Sequence, residues 1–162
     1  MTGKEALKTA LASTRDVLNM YLGDLSDADI LVRPVPSANN IAWQLGHLIT
    51  AEVWLLSELP GATYPDTGMV MTDYGKETAQ SGPKAGYLTK AKYLDAFAKV
   101  RAASIANVER LIDADFDKPT TGPMAKFAPR LGDLVILTAN HTLMHGGQFT
   151  VVRRALGKPI VM

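Results

Sequence analysis

Ala139-Asn140-His141-Thr142-Leu143-Met144-His145-Gly146-Gly147-Gln148 is the stretch on which the reading of the fold turns, and it holds two of the chain's three histidines. Four residues apart on a helix, two side chains sit one turn above each other on the same face, so both imidazoles can reach one ion. Followed outward, Leu134, Thr138, His141, His145, Gln148 and Val152 advance by four, three, four, three and four, the spacing of a core-facing seam. The stretch is thus the middle of a long helix, from about Arg130 to Leu156, with both histidines turned inward. Gly157 and Pro159 stop it in the usual order for a helix C-terminus.

A seam of that kind needs facing helices, and the rest of the chain supplies three. Lys4 to Tyr21 places Leu7, Leu11, Val17, Leu18 and Tyr21 at helical spacing between charges. Arg33-Pro34-Val35-Pro36 forbids continuation, because proline lacks the amide and restricts its predecessor. Ser37, Asn39 or Asn40 can cap a second helix that runs from Ile41 to about Leu59 and is apolar on more than one side, hence largely surrounded by protein. Thr89 caps a third, with Tyr93, Leu94, Phe97, Val100, Ile105, Val108 and Leu111 as its inward stripe, ending near Ile112. Pro60 to Leu88 and Asp113 to Pro129 carry prolines and glycines without a sustained period. The first of these is long enough to be a lid or binding loop, and Met69, Val70, Met71, Tyr74 and Tyr87 give it apolar anchors that favour a packed lid. Four helices and no convincing strand define an all-α four-helix bundle, its long middle connection permitting a crossover. At 162 residues this is one domain spanning 1–162.

Composition removes several functions. Lys plus Arg number 17 against 16 Asp plus Glu, so no large field of one sign draws nucleic acid or an anionic membrane toward the chain. Cysteine is absent, which excludes disulfides, thiolate ligands and a cysteine nucleophile together. Lys4, Glu5, Lys8, Arg15 and Asp16 interrupt the N-terminal stretch, which has neither a signal peptide's apolar centre nor the length of a membrane span; a cytoplasmic protein is expected. Gly146-Gly147 follows no strand and opens no helix, so it is no phosphate loop.

The third histidine, His47, lies on the second helix in a seam reading Asn40, Gln44, His47, Ala51. If that seam faces the last helix, three imidazoles converge in one layer of the bundle. Three neutral imidazoles suit zinc, nickel, copper or iron, and three protein ligands leave positions open for water or substrate, the catalytic pattern. Asn40, Gln44, Thr138 and Gln148 can orient the ligands or line the space above the ion, with Gln44 and Gln148 the residues expected at a substrate pocket. The competing reading is three hydrogen-bonded core histidines. Thr142 stands where a zinc protease of the His-Glu-x-x-His type has its glutamate, so that chemistry is not expected. Gly146 and Gly147 each cost about 1 kcal/mol relative to alanine inside a helix, which implies a close approach there by a neighbouring helix, a substrate or a dimer partner. Trp43 and Trp54 read as core or interface aromatics rather than cofactor-stacking groups.

Two stretches resemble a known family. Pro36-Ser37-Ala38-Asn39-Asn40-Ile41-Ala42-Trp43-Gln44-Leu45-Gly46-His47-Leu48, ending in Gly-His-Leu, is similar to the second-helix pattern of the DinB/YfiT-like superfamily of metal-dependent enzymes. His141 to Gln148, followed by Val152-Arg153-Arg154-Ala155-Leu156-Gly157, is similar to that family's final helix with its paired histidines. The resemblance implies a four-helix bundle with a crossover, a metal held by His47, His141 and His145, and frequently a homodimer. It also implies a reaction class, since some relatives transfer a low-molecular-weight thiol such as bacillithiol or mycothiol, and one branch isomerises maleylpyruvate with mycothiol. A chain without cysteine would take its thiol from outside, and a metal with open positions could hold it as thiolate. The expected function is therefore a thiol-dependent S-transferase or a hydrolase acting on a small molecule; the alternative is a non-catalytic, dimeric, stress-related binding bundle. No Asp or Glu is forced into the site by spacing, Glu52 lying off the face of His47, so no general base is identifiable.

Overall fold

The computed structural model describes residues 1–161. Its four helices are α1 (Gly3–Leu22), α2 (Ile41–Leu56), α3 (Lys90–Glu109) and α4 (Leu131–Ala155), and no strand occurs among the described residues. Side-chain caps start three of them. Thr2 and Glu5 form a reciprocal capping box, Asn40 Oδ1 accepts from Trp43 N at 2.8 Å, and Thr89 accepts from Lys92 N. Asp133 satisfies Arg130 N at the head of α4. α2 and α3 stop slightly short of the expected Leu59 and Ile112, because tighter turns, Leu59 N to Leu56 O and Leu111 N to Val108 O, finish them.

Contacts between ends give the wiring. Lys8 pairs with Glu109 and Lys90 reaches Leu22 O, so α1 and α3 run antiparallel. Gln44 near the start of α2 meets His145 in the second half of α4, and Leu55 and Leu56 at its end share a cluster with Leu131 and Leu134 at the start of α4, so α2 and α4 are antiparallel too. Tyr74, packed on Gly46 near the start of α2, meets Tyr93 near the start of α3, while Glu52 further along α2 meets Arg101. α2 and α3 are therefore parallel, and the 57–89 connection carries the chain back along the bundle. This is the expected crossover. It packs across α2 through two short 3₁₀ turns, Met71–Tyr74 and Lys76–Thr78, with Tyr74 buried.

The core divides in two. One cluster gathers Leu18, Leu22, Leu45, Phe97 and Phe149 toward the start of α2; the other gathers Leu7, Leu11, Leu55, Leu56, Val108 and Leu134 toward its end. Between them lies a polar layer to which every helix contributes. Arg101 and Glu52, 0% and 2% exposed, form a bidentate pair, Nε to Oε1 at 2.9 Å and Nη2 to Oε2 at 2.8 Å. Thr14 and Leu11 O of α1, Ser104 of α3 and Thr142 of α4 complete it. Glu52, off the histidine face as expected, belongs to this layer.

Candidate metal centre

His47, His141 and His145 converge at the α2–α4 edge of the polar layer, each offering a ring nitrogen within 4.8 Å of the other two. The ring centroids are 5.0 Å apart for His47 and His141, 5.3 Å for His47 and His145, and 4.8 Å for the helical pair. Two rings are fixed from behind. His47 Nδ1 lies 3.0 Å from Tyr74 O, and since a carbonyl only accepts, Nδ1 carries the proton and Nε2 keeps its lone pair. His145 Nδ1 lies 2.8 Å from Gln44 Oε1, and Gln44 Nε2 donates to Asn39 O, an arrangement consistent with the amide oxygen facing the ring. The tautomer with a free Nε2 is again selected. Such backing is what metal-bound imidazoles ordinarily have.

One pair of these atoms has a spacing that suits both an ion and a hydrogen bond between the two rings. His141 Nε2 and His145 Nε2 are 3.1 Å apart; two nitrogens about 2.0–2.1 Å from one zinc at a tetrahedral angle would be separated by about 3.3 Å. Electrostatics agree. Burial lowers the His145 pKa to about 3, with His141 and His47 adding to the effect, and burial together with His47 lowers that of His141 to about 4. Burial also lowers that of His47, partly offset by the bond to Tyr74. The rings are neutral at neutral pH, as ligands must be.

Gly46 lets this happen. A Cβ there would lie 2.1 Å from the Tyr74 ring, so only glycine lets the Tyr74 ring lie against α2 with its carbonyl on His47. The two glycines singled out by the sequence are under no such constraint: a Cβ on Gly146 would make ordinary contact with Tyr21 at 3.8 Å, and one on Gly147 would meet nothing. The same cost-of-glycine reasoning, applied to a buried helix, would have pointed to Gly46. Tyr74 acts through its backbone carbonyl, which leaves no signature in residue type. Trp43 is a core aromatic, as expected, and stacks on His47 at 5.1 Å and 7°. Trp54 is 38% exposed.

The two glutamines differ. Gln44 is buried behind His145, whereas Gln148 is exposed one turn past it. Beyond His145 the inward seam steps by four to the fully buried Phe149 rather than by three to Gln148.

Fold and site together define an all-α four-helix bundle with three histidines gathered on two facing helices. The chain belongs to the DinB superfamily, whose family model matches residues 10–149. Its fold is similar to the crystal structure of a conserved protein from Enterococcus faecalis, with TM-score 0.69 and 16% identity over 98% of this chain and 99% of that one. No curated protein matches the sequence. No helix among the described residues is long and apolar enough to cross a membrane.

Proposed function

We propose that His47, His141 and His145 bind a divalent transition metal, zinc or nickel before others, and that the protein is a metal-dependent enzyme acting on a small molecule. The observation that carries this is the convergence of three ring nitrogens whose opposite nitrogens, on His47 and His145, are held by Tyr74 O and Gln44 Oε1. Once bound, the metal would supply a Lewis acid able to hold a thiolate or activate water. The chain contributes neutral ligands, their orientation through Tyr74 O and Gln44, and a half-buried approach beside His141, with Gln148 at the exposed rim. With no cysteine in the chain, transfer of an external low-molecular-weight thiol to an electrophile is the first reaction proposed, and hydrolysis without thiol the second. A thiol-using reaction places the protein in the cytoplasm, where thiols stay reduced.

Elemental analysis of untagged protein beside His141→Ala tests the metal. Near-stoichiometric zinc or nickel that vanishes in the variant is expected; metal-free protein after reconstitution with divalent ions would leave three core histidines and favour the binding-bundle alternative. Homodimer formation also belongs to the proposal. From Ile136 to Val151 the outward side of α4, which also includes Asn140, Leu143, Met144, Gly147 and Gln148, is solvent-exposed and carries no charge until Arg154, unlike the polar face of a helix meant for water. Leu143→Lys should turn a dimer into a monomer in sedimentation.

A further inference from the structure

Between α2 and the outgoing part of the 57–89 connection lies a cleft of about 450 Å³, walled by Val53, Trp54, Tyr64, Met69 and Met71. That volume is within the range of small-molecule sites, about 300–1,000 Å³. The loop wall is anchored: Asn107 of α3 bonds Thr63 on both its N–H and its carbonyl, and Tyr64 Oη lies 3.3 Å from Ser104 Oγ. Nothing in the metal chemistry above uses this cleft.

Its chemistry is narrow. Thr50 and Thr67 also line it; Thr50 Oγ1 spends its proton on Gly46 O at 2.9 Å, while Thr67 Oγ1 accepts from Met69 N and keeps its proton for a ligand. The rest of the uncharged lining is an indole, a phenol ring, two thioethers, a valine and a proline, a largely apolar, polarizable surface suited to a flat ring. The charged side chain of the lining is Asp66, which an entering anion would meet first, while Lys92 and Lys99 line the neighbouring cleft that shares Asp66, Thr67 and Met69. Trp54 and Met71, 38% and 39% exposed, leave the wall open to solvent.

Position ties the cleft to the histidines. Thr50 and Trp54 follow His47 by three and seven residues, one and two turns along one helix face, a rise of about 4.5 and 10.5 Å. Met71 begins the 3₁₀ turn that ends in Tyr74, whose carbonyl holds His47. We infer that this cleft binds the uncharged aromatic part of the enzyme's substrate, directing the reacting substituent back along α2 toward His47. The inference rests on the metal-enzyme reading for its meaning, and its test is separable from that reading.

The probe is 4-nitrobenzyl alcohol, an unreactive stand-in for a benzylic electrophile, titrated into protein labelled with methyl-13C methionine. Saturable shifts of the Met69 and Met71 methyl resonances are expected while that of Met20, on α1, stays still. Trp54→Ser and Met71→Ser, at partly exposed positions, should each weaken binding about tenfold. The anion 4-nitrobenzoate should bind more weakly than the alcohol, and Asp66→Asn should narrow the gap. His141→Ala should leave probe binding intact, and Trp54→Ser should leave metal content intact, so failure of the metal reading and failure of the cleft show in different experiments. Unmoved Met69 and Met71 resonances at millimolar probe, or binding unchanged in both cleft variants, would overturn the inference; equal affinity for the anion would overturn the substrate class.

Discussion

Two polar clusters lie side by side in this bundle and meet opposite fates. In the Glu52–Arg101 layer, all five guanidinium N–H groups have acceptors, in Glu52, Leu11 O, Thr14 and Thr142, and Ser104 donates to Glu52. Nothing is left over for a ligand. In the histidine cluster, the backs of two rings are occupied while the ring nitrogens on the other side converge on one another. Polar groups ask for partners in both places, yet one cluster is closed by a buried charge pair and its hydroxyls while in the other three imidazoles turn toward one another, His141 Nε2 and His145 Nε2 at 3.1 Å. The contrast separates a structural device from a candidate site more sharply than burial or charge does.

The largest effect expected is on the closed cluster. Glu52→Ala should cost about 3–5 kcal/mol in denaturant unfolding, since it leaves a buried guanidinium unpaired, while chelation should leave this cost unchanged; a small effect would erase the distinction between the clusters. Next comes acid. The His145 pKa is depressed to about 3 in the folded chain, so as pH falls below about 6.5 the unfolded chain takes up its proton first and stability is lost on the way down toward the folded value. For chelator-treated protein the loss from His145 is about 2 kcal/mol at pH 5 relative to pH 8, measured by urea unfolding at both. Stability flat from pH 8 to pH 5 would mean that the rings are not buried as described.

Smaller changes probe the backing of the site. Gly46→Ala should displace Tyr74, destabilise the fold by about 1–3 kcal/mol and weaken zinc binding about 10–100-fold through His47. Gln44→Leu should weaken zinc binding by a similar factor with little change in the unfolding midpoint of metal-free protein; an equal loss of stability would make Gln44 part of the closed cluster instead. The smallest effect is expected at Gly147→Ala, which meets open space and should stabilise the helix by about 1 kcal/mol. Destabilisation there, or weakened self-association in sedimentation, would mean that another molecule covers this face.

Much of this was legible in the chain. Periodicity, the capping residues Asn40 and Thr89, and the breaks at Pro34, Pro60 and Gly157 determine four helices and their approximate ends, because these are local effects of backbone sterics and side-chain hydrogen bonds. The 141–145 spacing determines that two histidines share a face, because helix geometry admits no other result. His47 joined them only by the inference that its seam faced theirs, and the family pattern of Gly-His-Leu pointed the same way. The tertiary structure alone decided that α2 and α3 run parallel, that Glu52 answers Arg101 rather than the histidines, and that the demanding glycine is Gly46 rather than Gly146 or Gly147. Gln148 shows the same limit: heptad-like stepping places it inward, but the seam is set by which side chain the neighbouring helices accept, and they accept Phe149. The tautomers of His47 and His145 were likewise beyond the sequence, since a backbone carbonyl from a distant turn and an amide on another helix fix them. Local order is written residue by residue, whereas the readiness of a site is a matter of which distant groups arrive behind each ligand.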